Sequence, residues 1–285
     1  MQTITEGIYY QDAYPGVILG AIITPKGTLL IDSPLRAEDA RSWKSILLTQ
    51  SQGPHRLLVN LDEQTDRTIG NRFMEFTILT HQKAAECFEN RSLIFKGQNN
   101  ETGAEWENFP EVVGSRWATP SITFTDQLHL LWGDDPIEIT HKPGPTPGSI
   151  WVEIPAKKIV FIGDAAMSDQ PPLLERADLP DWIETLRALR TPKYRNYTII
   201  SSRSGPITIE DVRKFHEFLK SLLKRLTTLA NRNADPEETV KMVSPLLSKL
   251  TYKPQFEEFY SRRLRYGLLA YYKRHYYSGF HTTEG

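Results

Sequence analysis

The sequence predicts an α/β protein made of two similar halves, in which strands alternate with helices, followed by a helical extension. Three observations predict this class. Short apolar runs bounded by Gly, Pro, Asn and Asp alternate with amphipathic stretches before residue 92, and again over 121–202. A polar segment, 96–120, separates the two runs. After Pro206 the strand pattern gives way to amphipathic helices, which sets a boundary between 1–207 and 208–285.

The first half opens with the strands "GIYYQ" and "GVILGAIIT". A turn at Pro25-Lys26-Gly27 leads into "TLLIDSP", so the last two strands form a hairpin. Ala37, Ala40, Trp43, Ile46 and Leu47 repeat at helical spacing over 36–50. "HRLLVN" is the next buried strand. A helix is expected after Gly70-Asn71, then the strand "FTILT" and the helix "HQKAAECFENR". Residues 96–120, with Trp106, Phe109 and Trp117, read as an insertion or lid, since so long a loop inside a compact domain is usually functional. The second half continues with the strands "SITFTDQLHLLW", "PIEITHKP", "SIWVEIP" and "KIVFIGD". A helix over 179–190 and the strand "YTIISS" complete it.

In the extension, Thr208 caps a long amphipathic helix and Asp211 fills the acidic place of a capping box. Asp235 and Pro236 open a second helix, "DPEETVKMVSPLL". The third, tyrosine-rich helix spans "KPQFEEFYSRRLRYGLLAYYKRHYYSGF". Phe256, Phe259, Tyr260, Leu264, Leu268 and Tyr271 fall on one of its faces, a stripe that fits packing or homo-oligomer formation.

Composition narrows the function classes. With 39% hydrophobic and 24% charged residues, the 285-residue chain is of ordinary globular type. Residues 208–285 hold 14 Lys/Arg against 9 Asp/Glu, so a basic extension follows a mildly acidic body. The net charge of −1 gives no general ground for nucleic acid. The Arg262, Arg263, Arg265 cluster is offset by Glu257 and Glu258, so a nucleic-acid partner is not expected. Cys87 is the single cysteine, which excludes an internal disulfide and fits a small packed side chain. The start "MQTITEGIYY" lacks a signal-peptide pattern. The apolar run 16–23 falls short of the roughly 20 residues a membrane span needs. The expectation is a cytoplasmic protein without a membrane partner.

Three separated segments carry more specific information: "LVNLDEQTDRTIGN" (58–71), "HKPGPTPGSIWVEIPAKKIVFIGD" (141–164) and "IISSRSGPIT" (199–208). In order and context they resemble the metallo-β-lactamase fold superfamily, over about residues 5–207. Its members carry His-x-His-x-Asp-His after a strand, then Pro-Gly-His-Thr-Pro-Gly-Ser and a strand ending Gly-Asp, and last a Gly-His-Gly-Pro turn. "GTLLIDSP" and His81 after "FTILT" also resemble family features. The resemblance implies a four-layer αββα sandwich with a site at one edge between the halves.

The same resemblance exposes a departure. Asp62, Gln64 and Arg67 stand at the three histidine positions of the first motif, Pro145 at that of the second and Ser204 at that of the last. Only Asp66 and Asp164 keep the family's residue. Family members bind metal through neutral imidazoles with carboxylate support. Proline offers no ligand, and arginine stays protonated. A fixed positive charge repels a divalent cation by on the order of several kcal/mol at close range. No metal and no other cofactor are therefore expected, and no catalytic residue is assigned. Without a cation, Asp62, Asp66 and Asp164 would repel one another and one would tend to take a proton. Arg67 is expected to replace the metal electrostatically, with Arg203 as a second cation.

The alternative is an oxygen-ligated site on Asp62, Asp66 and Asp164, weakly holding Mg²⁺, Ca²⁺, Mn²⁺ or low-occupancy Zn²⁺, in a hydrolase of esters, thioesters or phosphoesters. Glu63 is left out of either site, because alternation in an extended stretch points it away. His141 reads as a hydrogen-bonded strand-end residue, while His129, His216, His275 and His281 are too scattered for a replacement zinc site. Ser204 lacks an assignable base, and "GPTPGS" lacks the lysine of a phosphate loop. The reading is a non-catalytic, metal-free protein with a binding, scaffolding or regulatory role toward a small molecule or protein. Its pocket would be knitted by Asp62, Gln64, Asp66, Arg67, Pro145, Asp164 and Ser204.

Overall fold

Residues 1–98 and 101–277 are described in a computed structural model of the protein. The first half runs β1 (Gln2–Thr5), β2 (Ile8–Gln11), β3 (Leu19–Thr24), β4 (Gly27–Ile31), α1 (Ala37–Gln50) and β5 (His55–Val59). The short helices α2 (Thr65–Thr68) and α3 (Asn71–Met74) follow, then β6 (Thr77–His81), α4 (Gln82–Glu89) and β7 (Ile122–Phe124). These strands form a seven-stranded sheet in chain order, antiparallel from β1 to β4 and parallel from β4 to β7.

The second half comprises β8 (Gln127–Leu130), β9 (Ile137–His141), β10 (Ile150–Ile154), β11 (Ile159–Phe161), α5 (Leu179–Leu189), β12 (Thr198–Ser201) and β13 (Gly205–Ile207). Its six-stranded sheet has the order β13-β12-β11-β10-β9-β8, with only β11 and β12 parallel. The helices α6 (Ile209–Ala230), α7 (Val243–Leu247) and α8 (Glu257–Tyr276) close the described chain.

Hydrophobic burial explains the layering. Ile22, Leu29 and Val59 of the first sheet pack against Ile139, Val152 and Phe161 of the second, forming the core between the sheets. The outer face of the first sheet takes Trp43 and Leu47 of α1. The outer face of the second takes Trp182 and Leu186 of α5, with Phe215, Leu219, Leu264 and Leu268 of α6 and α8 in the same cluster. The result is an αββα sandwich whose C-terminal helices belong to its outer layer.

Several local expectations are corrected. "SITFTDQLHLLW" is two strands: β7 pairs parallel with β6 in the first sheet, and β8 pairs antiparallel with β9 in the second. The chain changes sheets at Thr125-Asp126, so one apolar run serves two layers. An additional strand, β1, precedes "GIYYQ", and β13 forms where only a turn was expected. Helical structure after β5 begins at Thr65 rather than beyond Gly70. Gly70 serves close approach, since a Cβ there would lie 1.8 Å from the Pro34 carbonyl oxygen.

"DPEETVKMVSPLL" is a 3₁₀ helix, Pro236–Met242, running into the short α7. Pro245 has no N–H to extend α-helical bonding through that junction. The Thr208–Asp211 capping box forms reciprocally on α6. The third helix spans Glu257–Tyr276 after a 3₁₀ turn, and it buries Tyr260, Leu264, Leu268 and Tyr271 but leaves Phe256 exposed. Residues 278–280 of its expected range, His281, and Asn99 and Asn100 of the 96–120 loop lie outside the described residues.

Candidate functional site

The loop after β5 is held from below by its own amides. The Asn60 side chain donates to the Arg67 carbonyl at 3.1 Å and exchanges hydrogen bonds with Asn71 at 3.2 and 2.7 Å. The Ser33 hydroxyl donates to the same carbonyl at 3.0 Å. This fixes α2 so that the Arg67 side chain, fully buried, enters the space beneath the strand ends.

There the guanidinium meets three carboxylates. Nη1 donates to Asp32 Oδ2 at 2.8 Å and to the Ser202 hydroxyl at 3.2 Å. Nη2 donates to Asp164 Oδ1 at 2.5 Å, and Nε lies 2.8 Å from Asp62 Oδ1. Asp32 directly follows β4 with φ of +60°, which turns its Oδ1 onto the Leu61 N–H at 2.9 Å. A left-handed backbone outside glycine is uncommon and marks a constrained position.

A second guanidinium lies above the first. Arg203, in the turn between β12 and β13, donates through Nε to both oxygens of Asp164 at 3.2 Å. Its Nη1 reaches Asp66 at 2.7 Å and its Nη2 reaches Gln64 Oε1 at 2.9 Å. Two cations thus bind four buried carboxyl groups, Asp32, Asp62, Asp66 and Asp164. Burial drives the Asp62 carboxyl up to about 8 against the opposing pull of Arg67. Burial also raises Asp32. At Asp164 burial is overcome by Arg203 and Arg67, which hold it below the usual carboxylate range. Protonation of Asp62 brings the cluster nearer neutrality, as expected where desolvated carboxyls outnumber cations.

Of the residues singled out in the sequence, Asp62, Asp66, Arg67, Asp164 and Gln64 come together. Ser204 does not: its hydroxyl accepts from the Ser168 N–H at 2.9 Å, because its neighbour Arg203 takes the inward position of the turn. Ser202 supplies the hydroxyl found in the cluster instead. Pro145 lies on the wall of an adjoining cleft.

Glu63 corrects the sequence reading. It is 1% exposed, lines the same cleft, accepts from the Thr146 hydroxyl at 2.9 Å and lies 2.9 Å from Arg176 Nε. The chain here is not extended, since Asp62 Oδ1 accepts from the Gln64 N–H at 2.9 Å in an Asx-type turn, so alternation does not apply.

The cleft has a volume of about 90 Å³, opens to solvent and is lined by Glu63, Asp66, Trp106, Pro145, Arg176 and Arg263 among others. Gln98, Thr102, Ala104 and Trp106 form one wall, and Phe95, Trp106 and Val112 pack on Leu35 and Ile69. Helix α8 forms another through Arg263, whose Nε donates to the Gly103 carbonyl at 2.8 Å. Within the basic cluster, Arg263 is buried, Arg262 pairs with Glu101 at 3.2 Å and Arg265 is exposed.

His141 donates from Nε2 to the Pro147 carbonyl at 2.8 Å and stacks on His81 with centroids 3.8 Å apart. Burial lowers both rings, which keeps the stacked pair neutral. Elsewhere His216 contacts Arg190 and His275 stacks on Tyr271. Among the described residues, no group of three or more His, Cys, Asp or Glu is arranged to hold a metal ion.

This is the fold of the metallo-β-lactamases, with its candidate site at one edge of the two sheets. Residues 90–200 match the family described as the Metallo-beta-lactamase superfamily. The structure is similar to the stereoselective inverting sec-alkylsulfatase Pisa1 from Pseudomonas sp., with a TM-score of 0.68 and 15% identity, covering 96% of this chain and 49% of that one. A metallo-beta-lactamase family protein from Thermus thermophilus gives 0.62 and 19%, covering 95% and 94%. DIM-1 metallo-beta-lactamase gives 0.60 and 15%, covering 77% and 96%. The chain spans about half the length of the alkylsulfatase. No curated protein matches it in sequence. No described helix is long and apolar enough to cross a membrane.

Proposed function

We propose that this protein is a metal-free, non-catalytic member of its superfamily that binds a ligand in the cleft beside the buried cluster. One observation carries the reading: the Arg67 guanidinium lies among Asp32, Asp62 and Asp164 at 2.5–2.8 Å. Its charge takes the electrostatic role that a divalent cation has in the family, and its planar fork satisfies carboxylate oxygens a metal would need. Arg203 occupies oxygens of Asp66 and Asp164 from the other side. The residues present do not fit a divalent ion, so the geometry supplies no means of acidifying a bound water. The role proposed is binding, scaffolding or regulation.

The test is elemental analysis of protein purified without chelator, together with ester, thioester, lactam, sulfate-ester and phosphodiester substrates. Substoichiometric metal and no turnover are expected. Stoichiometric Mg, Mn or Zn, with turnover abolished by Asp164→Asn, would establish the competing hydrolase, in which Asp62, Asp66 and Asp164 hold the ion and both guanidiniums swing aside.

A further inference from the structure

The acids on the cleft wall are already engaged. Asp66 holds Arg203 and two backbone N–H groups, Glu63 meets Thr146 and Arg176, and Glu175 accepts from the Tyr266 hydroxyl at 2.7 Å. The guanidiniums are less evenly matched. Arg263 is 1% exposed and lies over the Phe259 and Tyr260 rings at 4.9 and 5.4 Å, yet beyond its bond to Gly103 its hydrogen bonds are long: 3.3 Å to Gln170 Oε1, 3.4 Å to the Pro171 carbonyl and 3.4 Å to Glu105 Oε1. Burial raises the Glu105 carboxyl, which weakens it as a countercharge. Burial and the neighbouring Arg203 cation both disfavour the charge on Arg263. A desolvated guanidinium with long bonds gains from a shorter, charged acceptor. Arg176 adds a second cation whose side chain is about half exposed. Leu173, Leu174 and Trp106 give the same cleft an apolar surface.

We propose that the cleft binds a small amphipathic anion, its singly charged oxyanion head drawn to Arg263 and Arg176 and its apolar tail laid against Leu173, Leu174 and Trp106. This deepens the reading of the cleft as a ligand site and rests on it. A carboxylate and a sulfate monoester share the required chemistry.

Calorimetric titration of the full chain with octanoate, octyl sulfate, octanol and octylammonium, each below its micellar concentration, tests the assignment. At least one anion is expected to bind with one-to-one saturation, octanol at least about tenfold more weakly, and octylammonium not at all. Arg176→Gln should weaken the anion about tenfold, and because it also takes the ion-pair partner from the buried Glu63, its cooperative unfolding is recorded alongside to establish that the ligand-free variant is folded. Arg263→Gln should abolish binding, and if it fails to fold, Arg176→Gln and the charge series still decide. Preference for octylammonium, equal binding of all four probes, no binding, or anion affinity unchanged in Arg176→Gln would overturn the proposal. Metal content measured on the same sample separates the two readings. Metal-free protein that ignores both anions overturns only this inference, whereas stoichiometric metal overturns the proposed function itself.

Discussion

The Asp66 carboxylate accepts the Trp106 backbone N–H at 2.9 Å while its other oxygen takes Arg203 at 2.7 Å. One buried side chain therefore ends the arginine–carboxylate cluster and begins the wall of the cleft. The Glu105 N–H, 3.2 Å from Oδ2, adds a second bond at the start of the 3₁₀ turn Glu105–Asn108. Through Arg67, Asp164, Arg203 and Asp66, hydrogen bonds run without a break from the buried end of β4 to the 96–120 segment.

Asp66→Ala should loosen that wall. It removes the side-chain acceptor of two backbone N–H groups and one partner of a buried arginine, a loss of about 3 kcal/mol by analogy with broken buried pairs. Amide exchange at residues 104–108 should accelerate more than exchange in the sheet core. Uniform acceleration across the chain would show that Asp66 has no special hold on the segment.

Arg67→Ala should destabilise the fold by about 3–5 kcal/mol, since three buried carboxyls lose their shared cation. Added Mn²⁺ or Zn²⁺ should raise the Tm of the variant and leave the wild type unchanged, because only in the variant are Asp32, Asp62 and Asp164 released from the Arg67 guanidinium. Thermal unfolding with and without the ions reads both. Equal stabilisation of the wild type would contradict the role given to the guanidinium.

The raised Asp62 carboxyl fixes the sign of a pH dependence. Its folded value, pushed up to about 8, lies above an unfolded value near 3.9, so between them the folded state binds more protons. Its contribution is fully present below about 4 and is lost as pH rises through 8. Asp32 acts with the same sign. Asp164, held low, and the neutral pair His81 and His141 act oppositely and withdraw stability toward acid. Stability should therefore fall between about pH 6.5 and 8.5 in the wild type, and the fall should flatten in Asp62→Asn. An identical slope in the variant would assign the titration elsewhere.

Much of the fold could be read from the chain because its landmarks are local. Apolar runs, turns and the three motif segments lie within short stretches, and the capping box at Thr208 and Asp211 is a four-residue signal. The cluster is legible in part because Asp62, Asp66 and Arg67 lie within one short segment. Other features depend on distant or fine geometry. Glu63 escapes a reading by alternation because an Asx turn redirects it. Ser204 and Arg203 are adjacent, and only the turn's conformation decides which faces inward. Arg263 enters the cleft from a helix 160 positions beyond its Gly103 partner, a relation no local pattern encodes. The division of "SITFTDQLHLLW" between two sheets is tertiary in origin, since both parts have strand propensity and only their pairing partners differ.

That same long-range packing sets the outcome of truncation after Ile207. Phe215, Leu219, Leu264, Leu268 and Tyr271 bury their side chains in one cluster with Trp182 and Leu186 of α5. Removing them exposes the outer face of the second half and takes Arg263 from the cleft wall. Each large apolar side chain contributes about 1.5–3 kcal/mol on burial, so losing these five removes an amount comparable to the usual stability of about 5–15 kcal/mol of a domain. The fragment 1–207 should therefore lose near-ultraviolet circular dichroism and cooperative unfolding while retaining part of its far-ultraviolet signal. A fragment that unfolds cooperatively, with amide protection retained around Arg67 and Asp164, would show instead that the sandwich stands without its C-terminal helices.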